Sequence, residues 1–114
     1  MLFRPTGEIE RRLIEESGWR RFPPRLEGQP IFYPVLNEEY ATMIARRWNT
    51  KDGGVGYVLR FRVRSDFLSA YDIQVVGGRV CEEYWIPAEE LDAFNDAIGG
   101  EIEEIAMYRT PDID

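Results

Sequence analysis

The stretch GYVLRFRVR at 56–64 constrains the chain more than any other segment. Tyr57, Leu59, Phe61 and Val63 fall on one side of an extended backbone, and Arg60, Arg62 and Arg64 fall on the other. Successive side chains of a strand point to opposite faces, so this alternation reads as a half-buried antiparallel strand with one face on a core. A helix would scatter the same residues around its circumference. The chain must therefore supply partner strands and apolar groups to cover the buried face.

Several short apolar runs answer that need. LFRPTG (2–7) reads as a short edge strand stopped by Pro5 and Gly7. IFYPV (31–35) is an edge or interrupted strand, because Pro34 has no N–H to donate. DIQVV (72–76), CEEYWI (81–86) and EIEEIAMY (101–108) bring the set to about six strands, the last with its alternation broken at Glu103-Glu104 as at a bulge. Three helices are expected. GEIERRLIEESGW (7–19) stops at Gly18. A second runs from an Asn37 cap to about Trp48, with Tyr40, Ala41, Ile44, Ala45 and Trp48 on one face, and the NTKDGG turn (49–54) ends it. The third, PAEELDAFNDAI (87–98), has Pro87 at its first position and Gly99-Gly100 beyond its end. SDFLSAY (65–71) adds one helical turn, and RRFPPRLEGQP (20–30) is a loop that must return to the core. The order is unlike repeated βαβ units. The expected class is α+β, a mostly antiparallel sheet of about six short strands with three helices, as a single domain over 1–114.

Composition narrows the function. With 44% apolar and 13% aromatic residues, the 114-residue chain can bury a core. It lacks the ~18-residue apolar run of a membrane span. Its opening residues lack the apolar core of a secretory signal, so the expectation is a cytoplasmic protein, with export as an effector left open. There is no His and only one Cys, Cys81. That removes an intrachain disulfide, His-based catalysis and a Cys/His zinc site, and no spaced Asp/Asn loop invites a hard cation; no metal is expected. A net charge of −7 argues against nucleic acid as a partner. The charge is uneven: residues 1–64 hold 12 basic and 8 acidic residues (+4), residues 65–114 hold 2 and 13 (−11), and the two sum to −7. Either the halves pack together and neutralise each other, or a basic wall faces an acidic one across a cleft.

No local motif names a chemistry. GGVG (53–56) and VGGR (76–79) match neither a Walker loop nor a dinucleotide fingerprint, and Cys81 has no base beside it. Within CEEYWI, Glu83 and Trp85 share one face, expected to be largely covered, while Glu82, Tyr84 and Ile86 share the other. A glutamate at a strand start is usually solvated. One at the mouth of a covered face would stand among apolar walls, where burial disfavours its charged form unless an Arg or a hydroxyl compensates.

Taken in order, the pieces resemble something more definite. An Arg-bearing first strand (LFRPTG) precedes an aromatic strand and helix (IFYPVLNEEYATMIARRW), then a core strand (GYVLRFRV). A turn and a Glu enter a final strand that leads to a Pro-capped helix (GGRVCEEYWIPAEEL). This order resembles the ADP-ribosyltransferase-like fold, particularly its small bacterial toxin-type members. The resemblance implies NAD as substrate, with cleavage of its nicotinamide–ribose bond and transfer of ADP-ribose to an unknown acceptor. It implies that Arg4 holds NAD, that Tyr33, with Tyr40 on the following helix, braces the nicotinamide and its ribose, and that Glu83 binds a ribose hydroxyl and supports catalysis, with Glu82 as the fallback. Phe32-Tyr33-Pro34 stands where that family carries a Ser-Thr-Ser tract, and Glu82 and Glu83 are adjacent instead of spaced as E-x-E. A domain that kept the fold and lost the activity would share these features. The alternative is a non-catalytic acidic interaction module, of inhibitor or immunity type, with a basic protein as partner.

Overall fold

The alternating stretch is the central strand of the molecule. In a computed structural model that describes residues 1–78 and 81–110, it forms β3 (Val55–Val63), flanked by β1 (Leu2–Thr6) and β7 (Ile98–Arg109) in the order β1-β3-β7. Arg79 and Val80 of the GGRVCEEYWIPAEEL stretch, and residues 111–114, lie outside the described part. Both pairings are antiparallel. The register runs from Leu2 opposite Phe61 to Thr6 opposite Tyr57. Opposed residues share a face, so Leu2, Arg4 and Thr6 stand with Tyr57, Leu59 and Phe61, while Phe3 and Pro5 stand on the other side with Val58. On β7, Ala106 pairs Val58 but Glu104 pairs Leu59, which leaves Ile105 as the extra residue of a bulge.

The remaining strands continue from the outer edge of β1. β2 (Ile31–Phe32) pairs antiparallel with β6 (Ile86–Pro87), and Val35 bridges Glu83 of β5 (Glu82–Glu83) in the same register. β4 (Gln74–Val75) pairs with β5 on its far side. Val35 also exchanges two 2.9 Å backbone hydrogen bonds with Phe3. Segment 31–36 therefore lies between β1 and the 82–87 segment. The 81–86 run expected as one strand is thus two paired dipeptides, interrupted where Pro34 opposes it with only a carbonyl to offer, which Tyr84 N–H binds at 3.0 Å.

Helix α1 (Glu8–Glu16) ends where Gly18 and Trp19 take left-handed φ values of 79° and 62°. Helix α2 (Glu38–Ile44) begins as expected at Asn37, whose Oδ1 accepts from Tyr40 N at 2.7 Å. It does not end near Trp48. A π-helical segment (Ala45–Asn49) follows, then α3 (Thr50–Gly53), so residues expected as a turn are helical up to Gly54, a left-handed cap at φ 81°. The cause lies on β3. A Cβ on Gly56 would stand 2.2 Å from the Ala45 carbonyl oxygen, so only glycine lets this rod lie so close to the strand. A π turn takes one residue more than an α turn. The helix face is therefore rotated: Trp48, expected inside, is 61% exposed, while Thr50 is buried and Asn49 half-buried.

A short α4 (Ser65–Leu68) follows β3. The last helix, expected from Pro87, starts later: Pro87 belongs to β6, a 3₁₀ turn spans Ala88–Glu90, and α5 covers Leu91–Asp96. On one face of the sheet the rings of Phe22, Phe32, Phe61 and Phe94 meet with centroids 4.9 to 6.4 Å apart. The Asn95 amide binds both backbone groups of Phe22, at 2.9 and 3.0 Å, and returns the 20–30 loop to this core. On the other face α2 and the π segment pack Tyr40, Ala41 and Ala45 against Val35 and Val58. Arg11 pairs with Glu104, Arg21 with Asp92 and Asp96, and Arg60 with Glu103, so the basic and acidic halves meet directly. Among the described residues no helix is long and apolar enough to cross a membrane.

Candidate functional site

Strand register decides what surrounds Glu83. Phe3, Val35 and Glu83 stand abreast on the face that α2 covers, and only 8% of Glu83 is exposed. A carboxylate buried to this degree needs donors. Tyr40 Oη donates to Oε1 at 2.8 Å, and Trp85 Nε1–H donates to Oε2 at 2.9 Å. Burial first, and then the bond to Glu83, push the Tyr40 hydroxyl far above its ordinary pKa, so it remains a donor. Trp85 itself is 45% exposed, because α2 covers Glu83 and not the residues beyond it. Its ring meets Tyr33 edge-on at 6.5 Å. The expectation of a largely covered tryptophan face thus gives way to one covered only at the glutamate.

Glu83 lines a cavity of about 300 Å³ together with Arg4, Pro5, Tyr33, Val35 and Asn49. The described pairing between β1 and segment 31–36 is the Phe3–Val35 bridge, and Pro5 has no N–H to extend it. The cavity lies where the two strands part. Arg4 borders it, but strand parity turns its guanidinium to the opposite face. There it makes a two-pronged pair with Glu10 of α1, Nε to Oε2 and Nη2 to Oε1, both 2.8 Å, and lies 4.7 Å from the centre of the Phe32 ring. Burial alone would weaken both charges, yet mutual attraction prevails: Arg4 is held above its ordinary value and Glu10 below the usual carboxylate range. Arg25 completes the cluster, 3.9 Å from Glu10 and 5.8 Å from the centre of the same ring. These three residues border a second cavity of about 410 Å³ that shares Arg4, Pro5 and Asn49 with the first.

Of the residues singled out in the sequence, Glu83 and Tyr40 are in direct contact, while Tyr33 and Arg4 line the same cavity. Glu82 points to the other side of β5, pairs with Val75 and does not line this cavity. Sequence reasoning missed Glu10, Arg25 and Asn49. Glu10 and Arg25 become neighbours only when α1 and the 20–30 loop fold over β1, and Asn49 turns inward only because of the π insertion. Gly56 was the one available hint. Among the described residues no three His, Cys, Asp or Glu side chains cluster as a metal site.

The molecule is therefore an α+β domain of antiparallel sheets, with a buried, doubly donated carboxylate on the wall of a cavity. No known family, curated protein or solved structure matches the chain.

Proposed function

We propose that the protein is an ADP-ribosyltransferase-like enzyme, with the nicotinamide–ribose end of NAD bound in the Glu83 cavity. The observation that carries this reading is Glu83 itself, a buried carboxylate fixed by a hydroxyl and an indole N–H at the edge of a space large enough for a ring and a sugar. Each carboxylate oxygen keeps a second acceptor position, so Glu83 can still bind a ribose hydroxyl. In the reaction the bond between C1′ and the nicotinamide nitrogen breaks. Its electron pair leaves with the nicotinamide and cancels the ring's positive charge. The oxocarbenium-like ribose is stabilised by the fixed carboxylate until an acceptor attacks C1′ and loses its proton. The half-exposed Tyr33 ring offers the nicotinamide an aromatic edge or face. Arg4, held by Glu10 on the opposite face of β1, can meet only a part of NAD that extends beyond the Glu83 cavity, through the N–H groups that Glu10 leaves free. No specific observation favours an acidic interaction module, since several acidic side chains of the C-terminal half are engaged by arginines of the N-terminal half.

The test combines melting temperature with and without NAD and chromatographic detection of released nicotinamide. NAD is expected to raise the melting temperature of the parent protein, because a ligand bound by the native state stabilises it. Glu83→Gln is expected to keep that shift and lose nicotinamide release. Undiminished release by Glu83→Gln, or no shift and no release by the parent, removes the reading.

A further inference from the structure

Two buried side-chain atoms among the described residues have no hydrogen-bond partner, Arg25 Nε and Asn49 Oδ1, and both residues line the 410 Å³ cavity. Native proteins rarely leave such atoms unmatched, and an unpaired buried donor on a charged group is among the costlier cases. Their kinds differ in an informative way. Arg25 offers a cationic N–H, and Asn49 offers a neutral acceptor.

The charges around Arg25 point the same way. Arg4 and Arg25 share a single carboxylate, Glu10, which Arg4 grips with both prongs while Arg25 stands 3.9 Å off, beyond hydrogen-bond reach. The inner end of the cavity thus carries one uncompensated positive charge. Burial and the repulsion of Arg4 both weaken the Arg25 cation, and Glu10 only partly restores it. Of the other acidic side chains on the lining, Glu8 is engaged by Tyr57 and Arg12, and Asp52 is exposed at the rim. Asn49 borders both cavities, with its Oδ1 buried just behind their shared wall.

We propose that the 410 Å³ cavity binds a phosphate ester of a hydroxyl-bearing sugar, with Arg25 and the free side of Arg4 on the phosphate and the Asn49 carboxamide turning outward so that Oδ1 accepts from a sugar hydroxyl. The site is a binding site in its own right. Only the assignment of its occupant to the phosphate–ribose portion of NAD rests on the reading above.

Calorimetric titration with ADP-ribose tests this without any glycosidic cleavage. The parent protein is expected to bind, with inorganic phosphate competing. Arg25→Gln should weaken ADP-ribose about ten- to a hundredfold and Asn49→Ala about fivefold, the range for losing one charged and one neutral hydrogen bond. Arg64→Gln, which removes an exposed arginine at the far end of β3, should bind as the parent does. Without ligand, Arg25→Gln should melt no lower than the parent, because it removes a cation that lacks a full partner; a purely structural arginine would lower it. ADP-ribose binding with no NAD cleavage sinks the enzymatic reading and leaves this site standing. Equal affinity in the parent, Arg25→Gln and Asn49→Ala, or no binding by the parent, overturns the site.

Discussion

At the scale of single residues, the burial of charge on both sides of one strand organises the site. Arg4 and Glu83 were legible as candidates from their strands, but parity separates their charged ends, and each found partners that no local pattern named. Glu10→Gln leaves the Arg4 guanidinium buried without a counter-charge and is expected to destabilise the fold by about 3 kcal/mol in urea unfolding. The same pair sets a pH dependence. Glu10's carboxyl is held below its unfolded value, so its contribution is complete above the ordinary carboxylate pKa and lost as pH falls through the lowered one. Unfolding midpoints measured downward from neutral pH should fall less steeply in Glu10→Gln than in the parent; equal slopes would show that the pair contributes nothing. Tyr40→Phe removes the donor to Glu83 Oε1 and is expected to cost about 1–3 kcal/mol, the cost of an unmatched buried acceptor.

Among the elements, the helical rod over residues 38–53 matters most. Its start was readable from Asn37 and the glutamates after it, since caps act within one turn. Its continuation was not, because NTKDGG has the composition of a turn, and the π segment rests on contacts with strands far away in the chain, β3 above all. Gly56→Ala drives a methyl group into the Ala45 carbonyl, a backbone atom that cannot swing aside. Destabilisation of about 2–4 kcal/mol is expected, with strand β3 displaced from the rod. Thermal unfolding of the variant checks this, and an unchanged melting temperature would refute the close approach. About six strands were expected and seven form among the described residues, because the 81–86 run is interrupted opposite Pro34.

The whole molecule is two apolar layers on the faces of an antiparallel sheet, tied across its length by arginines of the first half and carboxylates of the second. Phe94 touches Phe22, Phe32, Phe61 and Phe67 at once, so Phe94→Ala is expected to cost about 3–5 kcal/mol and lower cooperativity in urea unfolding. By itself the sequence determined the class of fold, the central strand and the starts of the first two helices, but not that of the last, which begins at Leu91 and not at Pro87. Period-2 alternation, caps and glycine stops act over a few neighbouring residues, and the chain carries them wherever it goes. Tertiary structure alone decided that Glu83 is buried under Tyr40, that Arg4 turns to Glu10 and Arg25, and that Asn49 faces inward. Those outcomes depend on inter-strand register and on which helix lies over which face, quantities set by contacts between segments far apart in the chain.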